Sequence, residues 1–180
     1  MIRLNIVVEG QTEEVFVNKL LKPHLAAFNV VPVPRLIFTG RKYGRVFRGG
    51  VTRYHNFKWD LVLWMREDRK DSSFFTTMLD LYGLPYDFPG QIKVRSSRDP
   101  YRKVRTLEKA MERDFNEPRF IPYIQLHEFE TLLLAQPQRF SAFFINNKER
   151  VRGLSNMVDE FPNPEYIDQG ERTAPSKRIA

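Results

Sequence analysis

The sequence predicts an α/β fold, a mostly parallel sheet sandwiched between helices with a small helical C-terminal extension. Three observations carry that expectation. Leu4 to Val8 is apolar and β-branched with only Asn5 interrupting, as suits a strand buried on both faces of a parallel sheet. It runs into Gly10 and then, from Thr12 to about Phe28, into a helical stretch in which Val15, Phe16, Leu20 and Leu21 recur at helical spacing, with an irregularity expected at Pro23. A second strand at Val33 to Thr39 completes a β-α-β unit, whose strands pair in parallel.

The later elements follow the same alternation. Tyr54 to about Arg69 repeats Phe57, Leu61, Trp64 and Met65 at three- and four-residue intervals, an amphipathic helix whose aromatics belong to the core. Phe74 to Leu79 reads as a buried strand. Pro85 to Pro100 reads as a long loop, and Arg102 to about Phe115 as a helix with Val104, Leu107, Met111 and Phe115 on one face. The charges outside that stripe, Lys103, Lys109 and Arg113, are most simply a solvated face. Arg119 to Leu126 is a further strand, followed by an apolar helix at Thr131 to Ala135. Short helices at Gln138 to Phe144 and Lys148 to Phe161 come next, then an irregular tail from Pro162. Residues 1–135 are expected to form the α/β core and 136–180 the extension. Because Pro175 opens a helix just before the chain stops at Ile179-Ala180, a truncated C-terminus is expected.

Composition bounds the chemistry. The chain has no cysteine, which excludes a disulfide framework, a thiol nucleophile and a cysteine zinc site, and its three histidines are too scattered for a zinc cluster. Any metal is therefore expected to be held by oxygen. No run approaches the roughly 18 apolar residues of a membrane span, and no signal-peptide pattern precedes the first strand, so a cytoplasmic protein without membrane contact is expected. A formal charge of +7 favours a polyanionic partner.

The chemistry-bearing residues gather at strand ends. Glu9 follows the first strand, at the edge where open α/β sheets place their ligands, and Glu13 falls in the first turn of the next helix, over the same crevice. Two carboxylates converging there raise a pKa or demand a counterion, which a divalent metal would supply. The plainer alternative is that Glu13 and Glu14 complement the helix dipole, which leaves Glu9 unexplained. Asp80 ends the strand at Phe74 to Leu79 and would emerge on the same edge as Glu9, although a turn-capping role would also explain it. Glu128 and Glu130 follow the strand at Arg119 to Leu126. Together these form an oxygen set suited to Mg²⁺ or Mn²⁺. Gly40 to Arg53 reads as a mobile basic loop in which Arg41, Lys42, Arg45 and Arg48, interleaved with aromatics, could grip phosphates; Lys93, Arg95 and Arg98 offer a second bank.

Four motifs in this order carry a resemblance: Val8-Glu9-Gly10-Gln11-Thr12-Glu13-Glu14, Thr76-Thr77-Met78-Leu79-Asp80-Leu81-Tyr82-Gly83-Leu84-Pro85, Gln125-Leu126-His127-Glu128-Phe129-Glu130-Thr131-Leu132-Leu133 and Thr173-Ala174-Pro175-Ser176-Lys177-Arg178. The chain resembles bacterial domain-of-unknown-function family 4276, of the Toprim-like superfamily, and through it nucleases of the overcoming-lysogenisation-defect type. The resemblance implies a Toprim-like sheet with metal at its carboxyl edge, Glu9 as metal ligand or acid/base, and Asp80 as the first residue of an Asp-x-Asp metal pair. Tyr82 stands where the second aspartate is expected, so Glu128 or Glu130 would supply the missing carboxylate. The implied activity is metal-dependent phosphodiester hydrolysis, with Glu9 or Glu13 handling a proton, on nucleic acid (DNA ahead of RNA) and beside a separately encoded ATPase. The competing expectation is a non-catalytic nucleic-acid-binding or adaptor subunit, which Tyr82 favours.

Overall fold

The computed structural model describes residues 1–42, 45–48, 53–167 and 174–179, with 38–42 and 45–48 described by their backbone alone. The residues divide into two compact units, Met1–Gln125 and Leu126–Ala180. In the first, strands β1 (Ile2–Val8), β2 (Val30–Leu36), β5 (Ser73–Asp80) and β6 (Phe120–Ile121) lie in the order β2, β1, β5, β6, all parallel, and β7 (Ile124–Gln125) also pairs with β5 in parallel. This is the mostly parallel α/β architecture that the alternating apolar runs predict.

Strand β1 lies inside the sheet, between β2 and β5, which is why its sequence is apolar on both faces. Val7, Phe75 and Leu79 face the main core with Phe57, Leu61 and Trp64 of α3 (Tyr54–Glu67) and Leu107 and Met111 of α5 (Pro100–Phe115). By strand alternation Ile6 and Val8 point to the opposite face. The one polar interruption, Asn5, is fully buried, and its side chain is satisfied: it accepts from Arg3 Nε at 2.9 Å and donates to Asp68 at 3.4 Å. Strand β2 begins at Val30, three residues before the expected start, and takes Pro32 and Pro34 into its ladder. Those prolines are tolerated because β2 is an edge strand of this sheet, where a missing N–H is harmless on the open side.

The helix after β1 departs from its expected packing. It comprises α1 (Gln11–Phe16), a π-helical stretch at Val17–Leu21 and α2 (Lys22–Ala26), so the irregularity expected at Pro23 takes the form of a widened turn immediately before it. Val15 and Leu20 are 56% and 62% exposed, while Glu13 and Val17, four residues apart, are buried. A carboxylate thus occupies the inward stripe that the apolar residues were expected to fill.

Two further expectations are corrected. The basic stretch after Ile37 is a two-stranded antiparallel hairpin rather than a loop: β3 (Phe38–Lys42) pairs with β4 (Arg45–Arg48), with Arg41 opposite Val46 and Lys42 opposite Arg45. Its β-branched and aromatic residues Phe38, Thr39, Val46 and Phe47 favour strand. Tyr43, Gly44, Gly49 and Gly50 lie outside the described residues. The strand expected at Arg119 to Leu126 is split into β6 and β7 by Pro122. Thr77 bridges the gap, its hydroxyl donating to the Tyr123 carbonyl at 2.7 Å and accepting from the Tyr123 N–H at 2.9 Å.

In the second unit, 3₁₀ turns at Phe129–Ala135 and Pro137–Ala142 stand where helices at Thr131 to Ala135 and Gln138 to Phe144 were expected, the helix expected at Lys148 to Phe161 is α6 (Lys148–Asp159), and α7 (Pro175–Ile179) follows. Leu134, Val158 and Ile167 are its buried centre. The described residues include no helix long and apolar enough to cross a membrane.

Candidate functional site

Strands β1 and β5 are parallel neighbours with Val8 opposite Met78, so Glu9 and Asp80 both emerge at the carboxyl edge of the sheet. The contact between them is direct: Glu9 Oε1 accepts a hydrogen bond from the Asp80 backbone N–H at 2.9 Å. Glu13 approaches from the start of α1. It is buried, and its charge acts on Glu9. Burial pushes the Glu9 carboxyl up to about 7, the Asp80 N–H bond opposes the rise, and the neighbouring Glu13 charge adds to it.

Two glycines leave space for these carboxylates. A Cβ at Gly10 would lie 3.0 Å from Glu13 Oε2, and a Cβ at Gly83 would lie 3.0 Å from Glu9 Oε2 and 3.3 Å from Oε1. Gly83 ends the 3₁₀ turn Leu81–Gly83 that follows Asp80, so the sequence Asp80-Leu81-Tyr82-Gly83 folds back to seat Glu9 against backbone. Sequence reasoning passed over Gly83; its place three residues beyond a strand-end aspartate was the available signal. Tyr82, in the same turn, is 46% exposed.

Glu128 and Glu130 belong to the second unit. Glu128 Oε2 accepts from the Ser176 N–H at 3.0 Å, tying the Ala174-Pro175-Ser176 segment to the His127-Glu128-Phe129-Glu130 motif. Two motifs about 50 residues apart are thereby joined by one hydrogen bond, which spacing alone does not reveal. His127 is buried with a left-handed backbone, φ 65°. Of the basic residues, Arg41 and Lys42 lie on β3 and Arg45 and Arg48 on β4, while Lys93, Arg95 and Arg98 are exposed around the short helix α4 (Gln91–Val94).

Among the described residues no cluster of three or more His, Cys, Asp or Glu side chains is placed to hold a metal ion. Magnesium does not require one, since it is commonly bound through one or two carboxylates with water and substrate phosphate completing its shell. The Glu9 and Glu13 carboxylates, hard oxygen donors whose mutual repulsion a cation would relieve, fit such an ion.

A mostly parallel sheet with the partly buried Glu9 and the buried Glu13 at its carboxyl edge defines an α/β protein, a class whose ligands lie in the crevice at that edge. Residues 8–180 match a family described as a domain of unknown function (DUF4276), and the chain belongs to that family. No curated protein and no solved structure matches it.

Proposed function

We propose that the protein is a Toprim-like, metal-dependent nuclease that hydrolyses nucleic-acid phosphodiesters, DNA ahead of RNA, in a bacterial defence or DNA-processing system. On this reading it works in the cytoplasm beside a separately encoded ATPase. The observation that carries it is the placement of Glu9 at the sheet's carboxyl edge, held by the Asp80 N–H, flanked by Glu13 and seated on Gly83. A carboxyl near neutral pKa can both take a proton from an attacking water and return one to a leaving oxygen.

Glu9, with either Glu13 or Asp80 beside it, would hold Mg²⁺ or Mn²⁺, with Glu128 and Glu130 as further candidates. The bound ion supplies charge neutralisation and an acidified water. Glu13, close enough to influence Glu9, can accept the proton when Glu9 is engaged as a ligand. Arg41, Lys42, Arg45 and Arg48, with Lys93, Arg95 and Arg98, would hold the phosphate backbone.

The adaptor reading is kept because Tyr82 stands two residues after Asp80, and tyrosine is a poor Mg²⁺ ligand at neutral pH. The deciding assay is cleavage of labelled single- and double-stranded DNA and RNA with Mg²⁺ or Mn²⁺, with and without the ATPase. Glu9→Gln is expected to abolish cleavage with the fold intact, while Glu14→Gln leaves it unchanged. No cleavage in any condition, with no metal binding by calorimetry, would make the adaptor reading the better one.

A further inference from the structure

The outer face of α5 carries charge that does nothing for the helix itself. Asp99 caps its N-terminus, accepting from the Tyr101 and Arg102 N–H groups at 3.0 and 3.2 Å, and Leu107 and Met111 are fully buried on its inner side. The opposite side presents Arg102, Arg105 and Lys109, all exposed. Beyond the Asp99 cap no acidic residue lies in the first turn, where Arg102 meets the positive end of the helix dipole, an unfavourable place for a cation. Arg105 also stands three residues from Arg102 and four from Lys109, spacings at which like charges repel along a helix.

Relief from neighbours is limited. Arg102, Arg105 and Lys109 form no salt bridge with any described residue. Glu108, three residues beyond Arg105, accepts from the Ile124 N–H at 3.0 Å and its charge also acts on Arg105, and Glu108 and Glu112 line one depression with Arg105 and Lys109. Asp99, Arg102, Arg105, Thr106 and Lys109 together line a second, shallow depression of about 330 Å³. Three cations against one carboxylate leave that depression net positive.

We propose that this depression on α5 is an anchoring site for the phosphate backbone of nucleic acid. The proposal rests on the nucleic-acid reading above and assigns it a surface separate from the basic banks named from sequence. The chemistry favours phosphate: two guanidiniums can each engage a phosphate in bidentate fashion. From Arg102 to Lys109 the helix rises about 10 Å, close to three base steps of about 3.4 Å along one strand. The lining holds no large apolar side chain, which argues against a membrane surface.

The test uses the full chain carrying Glu9→Gln, in EDTA so that no substrate is consumed. Binding of a short labelled duplex is followed by anisotropy between about 50 and 200 mM salt. Arg102→Gln, Arg105→Gln and Lys109→Gln are combined and compared with a control of equal charge loss, Lys19→Gln, Lys22→Gln and Lys70→Gln. Loss of three phosphate contacts should flatten the log-log salt slope by about 2.7, so that the parent loses about 40-fold more affinity across that salt range than the α5 variant. The control should keep nearly the parent slope. Equal slopes for the two triple variants overturn the α5 site while leaving nucleic-acid binding standing. A parent that binds no nucleic acid overturns both. A saturable site for inorganic phosphate, lost in the α5 variant while duplex binding is untouched, overturns the assignment to a polymer.

Discussion

Replacing Glu9 by glutamine should make the protein more stable at neutral pH, and the gain should depend on pH in a defined direction. The Glu9 carboxyl has an ordinary value of 4.5 and stands at about 7 in the folded chain, so between those limits the folded state holds a proton that the unfolded state has released. Stability from this group is full below pH 4.5 and is lost as pH rises through the folded value. At about 1.36 kcal/mol per pH unit, the full difference is about 3 kcal/mol, of which about 2.5 kcal/mol falls between pH about 5 and about 8. Glutamine carries no titrating proton but keeps an oxygen to accept the Asp80 N–H. The assay is urea denaturation of wild type and Glu9→Gln in EDTA across that range. Groups common to both proteins cancel in the difference, so wild type should fall behind the variant steadily with pH. Parallel stability curves, or a wild type that gains on the variant as pH rises, would refute the assignment of a buried, destabilised carboxylate.

Other residues give equally specific outcomes. Gly83→Ala places a methyl about 3.0 Å from Glu9 Oε2, so the carboxylate must shift; cleavage should fall at least tenfold while the circular dichroism spectrum is retained. Thr77→Val removes both hydrogen bonds to the Tyr123 backbone, which should cost about 2 kcal/mol in urea denaturation and raise hydrogen exchange at Tyr123. Glu128→Ala should speed amide exchange at Ser176, whereas Glu128→Gln, which keeps an acceptor, should not. If both Glu128 variants lose metal binding and neither alters exchange, the carboxylate is a ligand rather than an anchor.

The parallel sheet was legible because β1 from Leu4 onward is apolar apart from Asn5 and β5 carries Phe74, Phe75, Met78 and Leu79 with β-branched Thr76 and Thr77 between them. Parallel pairing alone placed Glu9 and Asp80 on one edge; the register that brings them into contact, Val8 opposite Met78, came from the structure. Where the reading failed, a longer-range term decided. Val15 and Leu20 look like core residues by composition, but the inward stripe of α1 is set by Glu13 and Val17, and a π-helical stretch intervenes between helical segments. The hairpin of β3 and β4 was hidden because charge and glycine suggest a loop, whereas backbone pairing across the two strands makes a ribbon. The bond from Ser176 to Glu128 spans 48 residues, and no local pattern encodes it. Placement of Glu9 was therefore readable, but its chemical state was not. That state depends on burial and on Glu13, both products of tertiary packing.

Glu9 is also where the nuclease and adaptor readings part. A carboxyl held near pKa 7 is about half protonated at neutral pH, and a dication seated against Glu9 and Glu13 would favour the ionised form of both. Metal binding must then displace protons from Glu9, and affinity must rise with pH until Glu9 is ionised without help, near 7. Titration calorimetry in two buffers of different ionisation heat counts those protons directly. On the nuclease reading about half a proton should be released per ion at pH 7, and none by Glu9→Gln. On the adaptor reading the same carboxyl has another use: protonated, it carries no charge to repel a phosphate lying over the sheet edge. Nucleic-acid binding should then strengthen as pH falls below 7, and Glu9→Gln, neutral at every pH, should bind as tightly as wild type at low pH without the dependence. The sign of that pH dependence, together with the proton count, assigns the buried carboxylate pair to metal or to phosphate.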